Sequence, residues 1–155
     1  MEINYRKAEI KDIPELVRLR LDFLGMARGK TLPPEQLAVL KSTNTEYFTS
    51  AMLDGSLVIF IAEEGDKIAA TSGIMFYRLM PNPSYPDGRR AYIGNMYTLH
   101  GYRRKGIATR LLELQLEEAK MRGVSAVQLS ATDEGRPVYE KIGFINVDYE
   151  MVYKF

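Results

Sequence analysis

Cysteine is absent from the 155 residues. That excludes disulfides, a thiolate nucleophile and a cysteine-based zinc site. Histidine occurs once, at His100, so no histidine metal site is expected and no metal is assigned. No apolar run is long enough to span a bilayer, and nothing at the start reads as a signal segment. The expectation is a soluble, cytoplasmic protein with no membrane partner. Neither sign of charge dominates: 21 basic against 20 acidic residues leave a balance of +1. A dedicated nucleic-acid or membrane-surface binder is therefore not expected, although a local basic patch remains compatible. Internal repeats and low-complexity tracts are missing too. What remains, residues 1–155, has the length of one domain, enough to bury about two-thirds of its unfolded surface.

One stretch organises the chain: Asn95 to Thr109, read as a strand, a short basic loop and the opening of an amphipathic helix. Ala108, Leu111, Leu112, Leu116 and Ala119 recur at three- and four-residue steps and share one helical face. Lys120 and Arg122 fill the last turn, and Gly123 suits the left-handed position beyond it. The start of this helix is odd. A helix N-terminus carries unpaired N–H groups and a partial positive charge, which favours acids. Here Arg103, Arg104 and Lys105 crowd that end, and no acid appears before Glu113. Each misplaced cation costs about 0.3–1 kcal/mol when close to the terminus, and a bound anion reverses the sign. Free amides, a glycine that lets a ligand approach, and three cations describe a phosphate seat. A solvated basic turn is the plain alternative. Walker A is excluded, because Ile107-Ala108 stands where Lys-Ser/Thr is required, and no G-x-G-x-x-G follows a strand.

Arg103-x-x-Gly106-x-Ala108 resembles the R/Q-x-x-G-x-G/A signature of the GCN5-related N-acetyltransferases, the GNAT superfamily. Tyr139-Glu140-Lys141-Ile142-Gly143-Phe144 resembles that family's Y-E-K-x-G-F, and the order and spacing of the two agree. The resemblance covers most of the chain.

The remaining elements follow in order. Ile3 to Lys7 is a short edge strand. Asp12 is expected to cap a helix, with Glu15 completing a capping box and Ile13, Val17, Leu21 and Leu24 as its buried stripe. Ala27 to Leu32 reads as a polar break, and Pro33-Pro34 opens a second helical region. Leu57 to Glu63 is a continuous apolar run, hence a central strand. After the Glu64-Gly65-Asp66 turn, Lys67 to Arg78 forms the next strand, with Gly73 a bulge or close-approach point. A proline-dense loop, Met80 to Gly88, precedes the strand Arg90 to Leu99, and Gly94-Asn95 inside that strand suggests a bulge. Tyr85 and Asp87 of the loop either touch a substrate or simply line a rigid crossing. Ala126 to Ser130 is another strand and Arg136 to Ile142 a short helix. Phe144 to Val147 and Tyr149 to Phe155 are expected to close the chain as a strand pair. The class is α+β: a mixed sheet of about six to seven strands with about four helices, as the acyl-CoA N-acyltransferase (GNAT) fold implies.

The resemblance further implies acetyl-CoA as cosubstrate and direct acetyl transfer to a primary amine, on a small molecule or a protein. The backbone of Arg104 to Thr109 (Arg104, Lys105, Gly106, Ile107, Ala108 and Thr109) would take the pyrophosphate, with Arg103 to Lys105 adding charge. Met96, Tyr97 and Thr98 would pair with the pantetheine arm in sheet-like fashion. Thr132 stands where many relatives carry an asparagine against that arm, and its reach is shorter. Tyr139 would protonate or hydrogen-bond the departing thiolate. A tyrosine near pKa 10 serving a thiol near 8.5 is uphill by about 2 kcal/mol, which favours hydrogen bonding over complete proton transfer. An N–H freed near Asn95-Met96 would stabilise the thioester oxygen. A base or water chain must deprotonate the amine. Glu63, Glu64, Asp133 and Glu134 lie near strand ends but read more simply as solvated acids, and His100 as a surface residue. The helix–loop–helix near the N-terminus would shape the acceptor site, or merely cover one sheet face. Dimers are frequent among relatives, so a homodimer is possible. Three readings compete: a transferase for another acyl-CoA, a CoA-binding sensor without turnover and, weakest, a nucleic-acid binder using Arg89, Arg90 and Arg103 to Lys105.

Overall fold

A computed structural model describes residues 1–155. Five strands form one sheet in sequence order: β1 (Asn4–Lys7), β2 (Leu57–Glu64), β3 (Lys67–Arg78), β4 (Arg89–Thr98) and β5 (Val127–Leu129). The first three contacts are antiparallel and the last, β4 with β5, is parallel. Four α-helices cover the sheet: α1 (Ile13–Ala27), α2 (Pro34–Asp54), α3 (Ile107–Met121) and α4 (Arg136–Ile142). The mixed-sheet α+β expectation holds, with fewer strands than expected.

β2 is apolar on both faces because both are covered. Ile59 and Ile61 point into a core with Leu16, Val17 and Leu19 of α1 and with Phe48 of α2. Phe60 and Ala62 point the other way, toward Ile107, Leu111 and Leu112 of α3. A continuous apolar run, rather than alternation, is what a doubly covered strand requires. α3 presents its stripe as the spacing predicts, with Leu111 and Leu112 fully buried. Gln115 on the same face is fully buried as well, and its Nε2 donates to Ser72 Oγ at 2.8 Å.

Four expectations change. Asp12 precedes α1 but its carboxylate does not cap that helix. Arg6 of β1 takes it in a two-pronged pair at 2.8 and 3.0 Å, and the backbone N–H of Glu9 donates to it at 2.7 Å. The box therefore joins Glu9 and Asp12 around a single 3-10 turn, and Glu15 binds Arg18 instead. The α1 stripe is Ile13, Leu16, Val17 and Leu19, with Leu21 only partly buried. Leu32, in the break between α1 and α2, is 3% exposed, so that segment is anchored rather than loose. Finally, Phe144 to Phe155 forms no strand: the sheet ends at β5 and this segment runs exposed.

Arg6 also donates to Glu63 at 3.0 Å, joining β1, β2 and the entry to α1. Its hydrogen bonds hold the Asp12 and Glu63 carboxyls below their usual values. Their stabilisation is thus complete above the ordinary carboxyl range near pH 4 and fades as pH falls through the lowered folded values. Arg6→Met should cost about 1–2 kcal/mol at pH 7. Urea titrations from pH 7 to 3 should show wild type losing more stability than the variant, and parallel losses would contradict this role.

Candidate active site

β4 and β5 run together for only three residue pairs, Ala91 with Val127 through Ile93 with Leu129. β4 then continues alone from Gly94 to Thr98 on that side. The parting coincides with an irregularity in β4. Thr71 pairs with Tyr97 but Gly73 pairs with Gly94, so Ser72 faces two residues, Asn95 and Met96. Asn95 has φ 60°, the left-handed region that only a few side chains tolerate. The expected bulge is therefore present. Close approach makes glycine useful at position 73: a Cβ there would lie 3.3 Å from Leu57 Cδ1 and 3.6 Å from the Gly94 carbonyl. The strand keeps a free edge from Gly94 to Thr98, and the chain runs from its end through the basic loop into α3.

That start has the character the basic loop implies. Arg104 has φ 59° and Gly106 φ 77°, two left-handed residues two positions apart. Gly106 is the residue before the first helical one, no side chain caps the helix, and no acid lies in the first turn. The N–H groups of Arg104 to Thr109 find no acceptor in the protein; the first bonded amide is Arg110, to the Gly106 carbonyl. Open space surrounds Gly106 where a Cβ would stand. Six consecutive free amides beside a helix start bind an anion readily. The three cations are deployed differently from one another. Arg103 Nε donates to the Thr98 carbonyl at 3.0 Å, clipping the end of β4 to the loop. Lys105 Nζ donates to the Gly101 carbonyl at 3.0 Å. Arg104 is exposed and outside every ion pair of the chain.

Tyr139 of α4 is half-buried against the same side of the sheet, its ring edge-on to Phe144 at 6.0 Å. Burial alone pushes its phenol above the ordinary value. Gly135 makes room for it: a Cβ there would lie 3.1 Å from the Tyr139 ring and 3.3 Å from Thr132 Oγ1. Thr132 Oγ1 accepts the Gly135 N–H at 3.1 Å, so this hydroxyl is occupied in shaping the turn into α4. Met96 and Thr98 are half-buried on the open segment of β4, while Tyr97 is buried toward α1.

The acid candidates separate. Glu63 is committed to Arg6 and held low, which is unsuited to a base. Glu64 accepts the Tyr102 hydroxyl at 2.7 Å, and Asp133 and Glu134 are exposed in a turn. His100 is exposed in a 3-10 turn. In the proline-dense loop, Asp87 accepts from Arg78 through its carbonyl and from the Arg89 N–H through its carboxylate, a rigid crossing.

Arg20 was not singled out by the sequence patterns above. It projects from α1 to the bulge, with NH1 3.4 Å from Asn95 Oδ1 and its guanidinium 5.9 Å from the Phe23 ring. No carboxylate pairs with it, and burial lowers its pKa. A signal was available. Arg18 has Glu15 and Asp22 at helical spacing, whereas the residues three and four from Arg20 are Leu16, Val17, Phe23 and Leu24. A cation among apolar neighbours sits on the inward face.

Comparison with known proteins defines the class. A family model described as the acetyltransferase (GNAT) family matches residues 19–144. The chain belongs to this family, and is an acetyl-CoA-dependent N-acetyltransferase by that membership. A predicted acetyltransferase from Clostridium acetobutylicum, crystallised with acetyl-CoA, is 37% identical; the match covers 99% of this chain and 96% of that one, with a TM-score of 0.90. A GCN5-related N-acetyltransferase from Ralstonia eutropha is 28% identical over 99% of both chains, with a TM-score of 0.85. Glucosamine-6-phosphate N-acetyltransferase from Arabidopsis thaliana is 25% identical over 100% of this chain and 99% of that one, at 0.76. No curated protein matches the chain.

The raised Tyr139 pKa has a sign that can be checked. Burial disfavours the phenolate, so this group favours the folded state until pH passes the ordinary tyrosine value near 10, and the benefit is lost as pH rises through the higher folded value. Alkaline absorbance titration of wild type minus Tyr139→Phe should show one phenol ionising above pH 10. A missing step at or below 10 would contradict the burial.

Proposed function

We propose that the chain transfers the acetyl group of acetyl-CoA directly to the primary amine of a small acceptor that also carries an anionic group. The single observation that supports this most is the free edge of β4 from Gly94 to Thr98 running up to six unbonded amides. One end offers sheet-like pairing to an extended amide-bearing arm, and the other offers a seat for a diphosphate. Pantetheine and pyrophosphate lie in that order in acetyl-CoA. Met96, Tyr97 and Thr98 take the arm through their backbone. Arg104 to Thr109 take the phosphates, with Arg103 and Lys105 fixing the loop more than contacting the ligand. Thr132 acts through the turn it forms rather than by reaching the arm.

The acceptor amine attacks the thioester carbonyl, the carbon–sulfur bond breaks, and the amine's proton leaves to solvent water. An amide N–H at the Asn95-Met96 bulge stabilises the carbonyl oxygen as charge develops there. Tyr139, a neutral phenol whose ionisation burial makes harder still, hydrogen-bonds the leaving thiolate, which acquires its proton from solvent. Glu63 takes no part. Arg20 supports the anionic acceptor: it stands at the bulge, half-buried, without a carboxylate of its own. The Arabidopsis neighbour acts on an acceptor of this kind, an amine that bears a phosphate.

Melting temperature with and without acetyl-CoA, followed by thiol release across an amine panel, tests the reading. Ligand at 100 times its dissociation constant stabilises by about 2.7 kcal/mol, or about 5–10 °C for a chain of this length. No shift would remove the CoA site, and a shift without thiol release for any amine would leave a binding protein. Tyr139→Phe should lower kcat about tenfold or more with cofactor affinity within about twofold; unchanged kcat would exclude its part. Arg20→Met should raise KM at least tenfold for amines bearing carboxylate or phosphate and spare neutral amines. Equal effects on both would refute the anion contact.

A further inference from the structure

α3 carries the free amides at its first turn, and β4 carries the bulge at Asn95. A ligand that spans both needs them at one fixed separation. Apolar packing alone sets that separation loosely. Ile107, Leu111, Leu112 and Ala119 of α3 bury against Phe60, Ala62, Ala70 and Ile74 of the sheet. Such contacts are non-directional and fix a helix less sharply than a hydrogen bond does.

One directional bond joins α3 to the strand that backs the bulge. Gln115 Nε2 donates to Ser72 Oγ at 2.8 Å, and both residues are fully buried. Ser72 pairs with Phe60 of β2 on one side and on the other faces the bulge residues Asn95 and Met96. Gln115 follows Ile107, the first residue of α3, by eight positions, about 12 Å along the helix axis. The other polar tie between α3 and the sheet is at the far edge, where Lys7 of β1 reaches Glu118 Oε2 at 2.8 Å.

Stability does not account for the pair. Gln115 Oε1 meets no donor in the protein. A buried amide bonded at one end only is a poorer core group than an apolar side chain of its size. Methionine or leucine at this position would continue the stripe of Leu111, Leu112 and Ala119. What the amide does that an apolar side chain would not is grip the one β3 residue that faces the bulge.

We propose that Gln115 is a positioning residue for the reaction. Through Ser72 it fixes α3 against the β4 bulge, so that a cofactor anchored by its diphosphate at the helix start lays its thioester oxygen on the N–H freed at Asn95-Met96. Gln115 touches no reacting atom and acts on distance alone. A displacement of about 1 Å at a reacting centre lowers the rate about a hundredfold. The inference rests on the acetyl-transfer reading of the site.

Four proteins test it: wild type, Gln115→Met, Ser72→Ala and the double variant. Methionine keeps the volume and the double variant removes both polar partners, so these two should melt close to wild type. Ser72→Ala repeats each measurement by deleting the other partner. All three variants should lower kcat about tenfold to a hundredfold, with the CoA dissociation constant and the KM for acetyl-CoA within about twofold. The loss in the double variant should match the single losses rather than their product, because the pair acts as one unit. Infrared difference spectra of bound acetyl-CoA, labelled with carbon-13 at the thioester carbonyl, separate positioning from mere support. The carbonyl stretch should be lowered in wild type and return toward its free value in Gln115→Met and Ser72→Ala. Unchanged kcat, a kcat loss matched by an equal loss of CoA affinity, multiplying losses in the double variant, or a stretch lowered equally in wild type and variants would overturn the role of Gln115 and leave the transfer reading intact. A wild type that binds acetyl-CoA with its carbonyl stretch unshifted would instead remove the bulge amide on which both stand.

Discussion

The parting of β4 from β5 is the constraint on which the rest of the molecule depends. Parallel strands normally keep their ladder, because an unpaired N–H or C=O away from water costs as much as a lost hydrogen bond. Here the ladder to β5 stops after Ile93 and Leu129, and β4 runs on paired with β3 alone, its other edge free, between two helical layers. The bulge at Asn95 turns the strand, and the left-handed φ there is sustained by what surrounds it. Gly73 and Gly94 let β3 follow closely, α1 covers the outer side through Phe23 against Tyr97 at 5.7 Å, and Arg103 pins the end of the strand. An opening held on three sides by packed structure is a preorganised site rather than a frayed edge.

The helix that faces this opening is assembled against its own dipole. Three cations precede α3 and no acid relieves the partial positive charge of its first turn. The structure moderates the conflict by turning Arg103 and Lys105 back to carbonyls at Thr98 and Gly101. These two charges rigidify the loop, while the backbone amides remain free to meet an anion. Basic residues in such a loop are easily read as direct ligand contacts. Their geometry instead divides the work: side chains set the shape, and the main chain supplies the donors.

Much of this was legible in the sequence because its causes are local. Gly106, the α3 stripe and the poor strand residues Gly94-Asn95 each act within a turn or two of themselves. The errors share the opposite property. Asp12 has every sequence attribute of a helix cap, but Arg6 on another element competes for its carboxylate and wins with two charged hydrogen bonds. Leu32 looks like part of a polar break until packing buries it. The alternating residues of Phe144 to Phe155 suggest a strand pair, but the segment forms none: period names no partner, and pairing is the part that period cannot encode. Arg20 was readable from its apolar neighbours, since a helical cation with no acid in reach is an anomaly of spacing alone.

β5 lies between two open edges, the inner cleft toward β4 and the outer groove toward α4. It is three residues long and is held by three residue pairs on one side only. A strand this short has little stability of its own, so whatever lies along its outer edge also fixes how far it stands from β4. The width of the inner cleft is therefore a property of β5's whole environment and not of the signature loop alone. Tyr139 ties the two together, because it packs on Phe144 where the exposed segment begins and belongs to the helix that follows β5.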